Sequence, residues 1–348
     1  MTMVFRRMAA VFLSILCLIL CCSCQTPSTS NTSTEDLLVP NAASDFDYDT
    51  FEKDGERVIR LIRYKGERTD VVIPDTIDGL PVRILLGVTA QNDKGYTGVV
   101  QGVFEDTAIE SVYIPSSVSS LGLGTFAHCT KLEQVEFAKD CGITSLNTST
   151  FESCTALTRI DLSPLTKLKG TYYSFRDCTS LKEIIFPEGI TRIGESSFLN
   201  CSALQSLYLP DSLERIEKNA FEGCTSIEFI SIGKNLRLSD PNFSTVIFNS
   251  PALKHITFRE GRESLDGYAL VSTTSPVSVE VPASVNVVSG YTFFNYSTMT
   301  ITFAGDCPKM ESEKWYGNVI VRYNPDMVGW DNCDWSAEKG VLRLEPIQ

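Results

Sequence analysis

Apolar and polar positions follow one recurring pattern through the middle of this chain. The pattern is Phe-x-x-Cys-Thr-x-Leu-x-x-Ile-x-Phe or a close variant. Successive copies start 22 to 27 residues apart. Clear copies begin at Phe126, Phe151, Phe175, Phe198 and Phe221, weaker copies at Phe104 and Phe248, and degraded copies near Val271 and Phe294. A fixed period of this length predicts a solenoid in which each unit is one coil stacked on its neighbours.

The second half of each copy predicts a β-strand. In Leu132-Glu-Gln-Val-Glu-Phe137 the fourth and sixth residues are apolar, whereas the third and fifth are polar. Side chains alternate across a strand, so the apolar set faces a core and the polar set faces solvent. One unit cannot bury its apolar side alone, and we therefore expect stacked strands to form a curved parallel sheet over a continuous core.

These units resemble the BspA-like class of leucine-rich repeats. The resemblance rests on the Phe-x-x-Cys-Thr-x-Leu units and on dipeptides such as Ile114-Pro115, Leu209-Pro210 and Ile193-Gly194. Residues 64–82 and 319–330 look like the segments that open and close such arrays, and the pattern is lost at 85–103 and 259–276. The resemblance implies a bacterial surface protein, in some members an adhesin, and its motif contains no catalytic residue.

The predicted fold is a right-handed, curved leucine-rich-repeat solenoid of the α/β or mainly β class, with about nine units of 22–27 residues. The repeats are expected at residues 104–305, with an N-terminal cap and opening segment at 45–103 and a C-terminal cap at 306–348. A signal peptide is expected at residues 1–23 and a flexible stalk at 24–44.

The first residues are typical of an export signal. Arg6 and Arg7 precede an apolar run over residues 8–22, which is shorter than the roughly 20 residues that span a bilayer as a helix. The run ends in Leu-Cys-Cys-Ser-Cys, which resembles a bacterial lipobox with Cys24 as the diacylated residue. Cysteine stands at position 21 where leucine is usual, so Cys21 and Cys22 stay as alternatives, as does secretion without a lipid.

Residues 25–33 read Gln-Thr-Pro-Ser-Thr-Ser-Asn-Thr-Ser, a composition that cannot bury a core and that behaves as a flexible stalk. Lipid, stalk and folded array in that order predict an exported lipoprotein that contacts the membrane only through its lipid, on the cell surface. An envelope lipoprotein that holds other envelope proteins is the alternative, because the leader serves both equally.

Charge and residue usage argue against several other functions. The net charge is −13 with no basic cluster, so no nucleic acid is expected as a partner. The chain has only 2 histidines, His128 and His255, and neither lies in a metal-binding or catalytic motif. We therefore expect no enzyme activity, no catalytic residue, no metal and no cofactor, and we interpret both histidines as surface residues.

The cysteines outside the leader form two groups. Five recur in the repeats, and we interpret them as small buried packing residues rather than as a metal or redox ladder: Cys129, Cys154, Cys178, Cys201 and Cys224. Cys307 and Cys333 either form a disulfide that closes the C-terminal cap or remain free. Cys141 is left over and is expected to be buried.

The outward strand positions are the candidate ligand-binding surface. The residues chosen there are Tyr113, Glu136, Asp161, Ile185, Tyr208, Phe229 and His255. Ile185, Tyr208 and Phe229 come from three adjacent units, so stacking would place an exposed apolar and aromatic cluster on the sheet face. The alternative is that a cap or loop covers them. The predicted partner is a protein or glycan ligand on host or neighbouring cells.

Overall fold

The structure is a computed structural model that describes residues 38–91, 97–237, 250–265, 275–289, 294–311, 316–333, 335 and 341–347. The strands described below all belong to the unit that spans Val39–Gln348. The predicted signal peptide, the predicted lipidation site Cys24 and the first part of the predicted stalk lie outside the described residues.

The opening segment is a set of short strands before the first clear repeat. Their bounds are β1 Phe46–Lys53, β2 Glu56–Tyr64, β3 Asp70–Val72, β4 Thr76–Ile77, β5 Leu80–Leu85, β6 Val88–Gln91 and β7 Thr97–Gln101, after a 3-10 helix at Ala43–Asp45. Strands β1 and β2 form an antiparallel hairpin, and β2 continues into the array by pairing in parallel with β5. The first departure from the repeat pattern is the antiparallel pair β6–β7.

One long parallel arrangement, here called the repeat sheet, contains the predicted strands. Besides β3 it includes β8 Ser111–Ile114, β10 Gln134–Phe137, β12 Arg159–Asp161, β14 Glu183–Ile185, β16 Ser206–Tyr208, β18 Phe229–Ile232, β19 His255–Phe258, β21 Val277–Val281, β23 Phe294–Phe303, β25 Tyr316–Tyr323 and β26 Val341–Pro346. Its strands are hydrogen-bonded in three groups, β3–β8–β10, β12–β14 and β16–β18–β19–β21–β23–β25–β26. Strand β12 lies beside β10, and β16 lies beside β14, so the three groups follow one another. The sheet thus continues past residue 305.

A second row of two-residue strands, here called the opposite row, completes each coil. Its members are β9 Ser120–Leu121, β11 Ser145–Leu146, β13 Gly170–Thr171, β15 Arg192–Ile193, β17 Arg215–Ile216, β20 Ser264–Leu265, β22 Val287–Val288 and β24 Lys309–Met310. The predicted leucine-rich-repeat solenoid is confirmed: it is mainly β, with about 10 turns against about nine predicted. The predicted alternation is also present, since Val135 and Phe137 of β10 are buried and Glu136 is exposed.

Two left-handed backbone positions recur in the coils from Phe126 to Phe221. The third residue of the Phe-x-x-Cys motif has a φ of +57° at His128, +58° at Asp177 and +62° at Asn200. A second left-handed residue lies two positions before the phenylalanine, for example Ser149 at +60° and Asn219 at +57°. Asn, Asp, His and Gly tolerate this conformation best, and they fill the first of these places in most coils, whereas serine and tyrosine also occur at the second.

The phenylalanines form one continuous stack through the core. Rings of successive coils lie 5.1–5.3 Å apart between centroids and within 11° of parallel, in the order Phe104, Phe126, Phe151, Phe175, Phe198 and Phe221. The backbone follows the same period: the Phe126 amide donates to the Thr150 carbonyl at 2.8 Å, and the Phe151 amide to the Ser174 carbonyl at 2.8 Å. Each coil is therefore bound to the next by ring contact and by hydrogen bond.

The N-terminal end of this stack is closed by Tyr64, the last residue of β2. Its ring lies 5.3 Å from that of Phe104, and its amide donates to the Val103 carbonyl at 2.8 Å. These are the contacts that each phenylalanine makes with the following coil. The phenol donates to the Arg68 carbonyl at 2.8 Å, and Phe46 packs against both rings. Tyr64 thus takes the place that a phenylalanine would have in a coil before Phe104, and the hairpin β1–β2 stands where that coil would be.

A buried arginine holds the coil where the repeat motif is lost at 259–276. Arg262 is only 5% exposed. Its guanidinium donates to the carbonyls of Leu236 at 2.8 Å and Ser264 at 2.9 Å, and more distantly to those of Gly233 and Lys234 at 3.3 Å. Backbone acceptors offset the cost of burying this charge, because a buried charge needs hydrogen-bond partners.

Candidate binding face

The outward positions of the repeat sheet form two columns that follow the strand register. In the column of fifth positions Tyr113 pairs with Glu136, and Asp161 pairs with Ile185. In the column of third positions Phe229 pairs with both Ser206 and His255. Tyr208 belongs to the first column and lies one strand before Phe229. The strand register therefore places these residues on one face of the sheet, and their chemistry divides that face into two parts.

The first part of the face is polar and ion-paired. Arg159 lies 3.0 Å from Glu183 and 3.9 Å from Asp161, joining two adjacent coils. The Asp161 carboxylate also accepts the Ser163 amide at 2.9 Å. Exposed ion pairs of this kind contribute only about 0–1 kcal/mol. The Asp161 carboxylate is thus already paired with groups of this chain. This part of the face therefore favours solubility over tight binding of a partner.

The second part carries a row of rings, here called the aromatic stripe, formed by Tyr208, Phe229 and His255. The ring centroids of Tyr208 and Phe229 are 5.3 Å apart with planes tilted by 43°. Those of Phe229 and His255 are 5.6 Å apart with planes 21° from parallel. Tyr208 leaves 55% of its surface exposed, and the other two are half-buried. The stripe is therefore open to a partner at Tyr208.

Contacts on the next strand fix the far end of the aromatic stripe. His255 Nδ1 and the Ser278 hydroxyl share a hydrogen bond of 2.5 Å, and His255 Nε2 lies 3.5 Å from a Glu280 carboxylate oxygen. Ring contacts on one side and polar contacts on the other restrict the imidazole. A surface restricted before binding loses less side-chain entropy when a partner arrives.

Ile185 lies on the same face, one strand before Tyr208. It is half-buried on β14, and β14 lies beside β16. The predicted cluster of Ile185, Tyr208 and Phe229 thus occupies three consecutive strands, with a ring contact between the last two. The sequence pattern did not predict that His255 stacks on Phe229, because an outward strand position does not determine how the imidazole is oriented.

The recurring cysteines are buried, as predicted, and each also makes a hydrogen bond that the sequence did not indicate. The Cys178 thiol donates to the Phe151 carbonyl at 3.0 Å, and the other four make the same bond to the phenylalanine one coil earlier, at 2.9–3.1 Å. Burial raises the pKa of Cys129 to about 11 and that of Cys178 to about 12. Such protonated thiols are inert toward metals and oxidants.

The other histidine and the three cysteines outside the repeats differ in exposure. His128 is exposed, as predicted for a surface histidine, and its position is the left-handed turn residue of its coil. Cys141 is buried, also as predicted, and donates to the Ala138 carbonyl at 3.2 Å. Among the described residues no three carboxylate, histidine or cysteine side chains cluster as metal ligands. Cys307 and Cys333 are free, half-buried thiols.

A shallow groove of about 480 Å³ on the opposite row was not anticipated from the sequence. Its lining includes Leu123, Gly170, Tyr172 and Arg192. Arg192 covers the Tyr172 ring at 4.9 Å and is held by Glu217 at 2.8 Å. None of the predicted site residues lines this groove.

Within the described ranges no helix has the length and apolar character needed to cross a membrane.

Comparison with known proteins gives likenesses in fold. A leucine-rich repeat protein of T. pallidum is 24% identical, with a TM-score of 0.39, covering 63% of this chain and 86% of that one. A leucine-rich cell surface protein from Faecalibacterium prausnitzii A2-165 is 17% identical, with a TM-score of 0.35, covering 90% and 96%. The pneumococcal vaccine antigen PcpA is 15% identical, with a TM-score of 0.28, covering 76% and 93%.

The sequence itself matches a family profile over most of the array. No curated protein matches the chain. The profile described as the BspA type leucine-rich repeat region matches in 6 copies, over residues 97–228, 169–269 and 200–320. These ranges contain the phenylalanine stack from Phe104 to Phe221 and the aromatic stripe. The chain belongs to the BspA-type leucine-rich repeat family.

Proposed function

We propose that this chain is an exported lipoprotein that binds a protein or glycan on host or neighbouring cells through the aromatic stripe. One observation carries the proposal: Tyr208, Phe229 and His255 form a contiguous row of rings on the open face of the repeat sheet. Tyrosine is enriched at the centres of interfaces, and repeat solenoids use their sheet faces as extended binding surfaces. We infer no enzyme activity.

The leader supports the placement at a membrane. Cys24 is proposed as the lipidated residue, because it ends an apolar run and precedes a Ser/Thr/Pro/Asn tract. Growth with an alkyne fatty acid should label the protein, and Cys24→Ala should abolish both the label and recovery in the membrane fraction. Unchanged labelling of Cys24→Ala would move the site to Cys21 or Cys22.

Affinity measurements on the aromatic stripe test the binding role. The probes are a panel of purified extracellular-matrix proteins and a glycan array, and any binder is then measured by surface plasmon resonance. Truncating a central interface residue costs about 2 kcal/mol, which is roughly 30-fold in Kd, so Tyr208→Ala with Phe229→Ala should weaken binding by far more than tenfold. Unchanged affinity in this double variant would refute the assignment of the stripe.

A matched control lies on the polar part of the same face. Glu136→Ala with Asp161→Ala changes two outward residues of the same sheet but leaves the rings intact, so the affinity should change by less than about threefold. Circular dichroism and the urea midpoint should show that both double variants are folded. Protease treatment of intact cells separates surface display from the scaffolding alternative, because only a displayed protein is cleaved.

A further inference from the structure

Two of the cysteines differ in their surroundings from all others that the structure describes. Six cysteines are buried, and five of them point at the phenylalanine carbonyl of the previous coil. Cys307 and Cys333 are instead half-buried at the C-terminal end of the array. The Cys307 side chain lies against Gly329, the residue before the 3-10 helix that leads into Cys333, and the Cys333 thiol is its neighbour. This pair is therefore a dithiol, whereas each buried cysteine is a packing residue.

The two segments that carry these thiols are held together independently of sulfur. The Cys307 amide donates to the Val328 carbonyl at 3.0 Å, and the Val328 amide donates to the Asp306 carboxylate at 2.9 Å. The indole of Trp330 donates to the Gly305 carbonyl at 3.0 Å. These three bonds tie residues 305–307 to residues 328–330. The segment that carries Cys307 and the turn that leads into Cys333 are thus held side by side by bonds that do not involve sulfur.

Beneath the thiols lies an aromatic cluster that ends the core. Trp330 is buried, stacks on Tyr323 with 4.8 Å between centroids and contacts Phe303 at 5.6 Å. It belongs to a 3-10 helix, Trp330–Asn332, which Cys333 follows directly. End coils have a neighbour on one side only, so they are the part of a solenoid that opens first. A covalent bond here would oppose that opening.

We propose that Cys307 and Cys333 form an oxidation site, at which a disulfide donor converts the two thiols into a bond that clasps the last coils. The donor is a small disulfide such as oxidised glutathione, or the active-site disulfide of a thiol–disulfide oxidoreductase. One cysteine thiolate attacks a donor sulfur, forms a mixed disulfide and releases one donor thiol. The second attacks the protein sulfur of that mixed disulfide and releases the other donor thiol. The protein loses two protons and two electrons, and the donor disulfide gains both.

The surroundings of Cys307 limit the rate of this exchange. Burial, with a further contribution from the adjacent Cys333 thiol, raises the pKa of Cys307 to about 12. Little thiolate forms at Cys307 near neutral pH, so the attack that this cysteine makes is slow there. The clasp is independent of the aromatic stripe and of any ligand that binds there.

Mass spectrometry of the full-length wild-type protein tests the site without any variant. After incubation with oxidised glutathione and blocking with iodoacetamide, non-reducing digestion should yield one peptide pair that links Cys307 to Cys333. The repeat cysteines should be alkylated only after unfolding. If Cys307 and Cys333 are both recovered as alkylated thiols, or if either is linked to a different cysteine, the proposal is wrong.

Thermal melting gives a second reading. Reduction with dithiothreitol should lower the midpoint of the oxidised wild type by roughly 5 °C, because the clasp closes a loop of residues 307–333. Cys307→Ser with Cys333→Ser should melt at the temperature of the reduced wild type and should not respond to the reductant. An equal shift in this double variant would assign the effect to another cysteine pair and would overturn the clasp.

Discussion

The phenylalanine stack makes a prediction that separates ring contact from simple burial. Phe175 is fully buried between Phe151 at 5.2 Å and Phe198 at 5.1 Å, with planes within 7° of parallel. Leucine at this position keeps most of the apolar volume but removes both ring contacts. Each such contact contributes about 0.5–1.5 kcal/mol, so Phe175→Leu should lower the free energy of unfolding by about 1–3 kcal/mol. Phe175→Ala, which also leaves a cavity, should cost about 3–5 kcal/mol.

A double-mutant cycle isolates the contact itself. Each single variant, Phe175→Leu or Phe198→Leu, loses the contact between these two rings, whereas the double variant loses it only once. The loss of stability in the double variant should therefore be smaller than the sum of the two single losses by about 0.5–1.5 kcal/mol. The matched control combines Phe104→Leu with Phe198→Leu, because these rings lie at opposite ends of a run of five and should be additive within about 0.5 kcal/mol. Urea unfolding followed by circular dichroism measures all of these variants. Coupling in the adjacent pair no larger than in the distant pair would refute the role of the stack.

Three further predictions concern other buried groups. Cys178→Ala should lower the free energy of unfolding by about 1–2 kcal/mol, as measured by urea unfolding, because it removes the sulfur and its donation to the Phe151 carbonyl. Because burial raises the pKa of Cys129 to about 11 from 9.0, the folded chain holds this proton more tightly than the unfolded chain. The contribution of this thiol to stability should be full below pH 9 and should be lost as the pH rises toward 11. The urea midpoint should therefore fall with pH less steeply in Cys129→Ala than in wild type. Equal slopes of the midpoint against pH in the two proteins would contradict this. Arg262→Lys should cost about 3 kcal/mol, since an ammonium cannot reach the carbonyls that the planar guanidinium spans, and a thermal midpoint equal to that of wild type would be the contrary result.

Much of the coil was predictable because its rules are local. The Phe-x-x-Cys-Thr-x-Leu pattern identified the core residues and the strands, and the predicted alternation holds in strands such as β10. The turn chemistry was also present in the sequence, since His128, Asp177 and Asn200 are residue types that accept a left-handed backbone. Only comparison of successive coils reveals that rule, because no single position shows it.

Other features depend on contacts that no spacing reveals. Tyr64 takes a phenylalanine position, but the extra strands between it and Phe104 hide the period. Arg262 stabilises a coil in which the motif has disappeared, so the pattern offers no reason to place a charge in the core. The contact between Tyr208 and Phe229 joins different columns of the sheet and depends on how the two rings turn.

The position of Tyr64 gives the array a fixed beginning and a variable length. Within the phenylalanine stack, each coil offers the next an amide donor and a ring, and accepts the same two contacts from the coil before it. A whole coil added or lost in the middle would join surfaces that already match, so gene duplication could lengthen or shorten the array without new packing solutions. Loss of the hairpin β1–β2 would instead leave the Val103 carbonyl without its donor and expose one side of the Phe104 ring. Natural variation in this protein should therefore accumulate as changes in repeat number, while the starting hairpin stays constant.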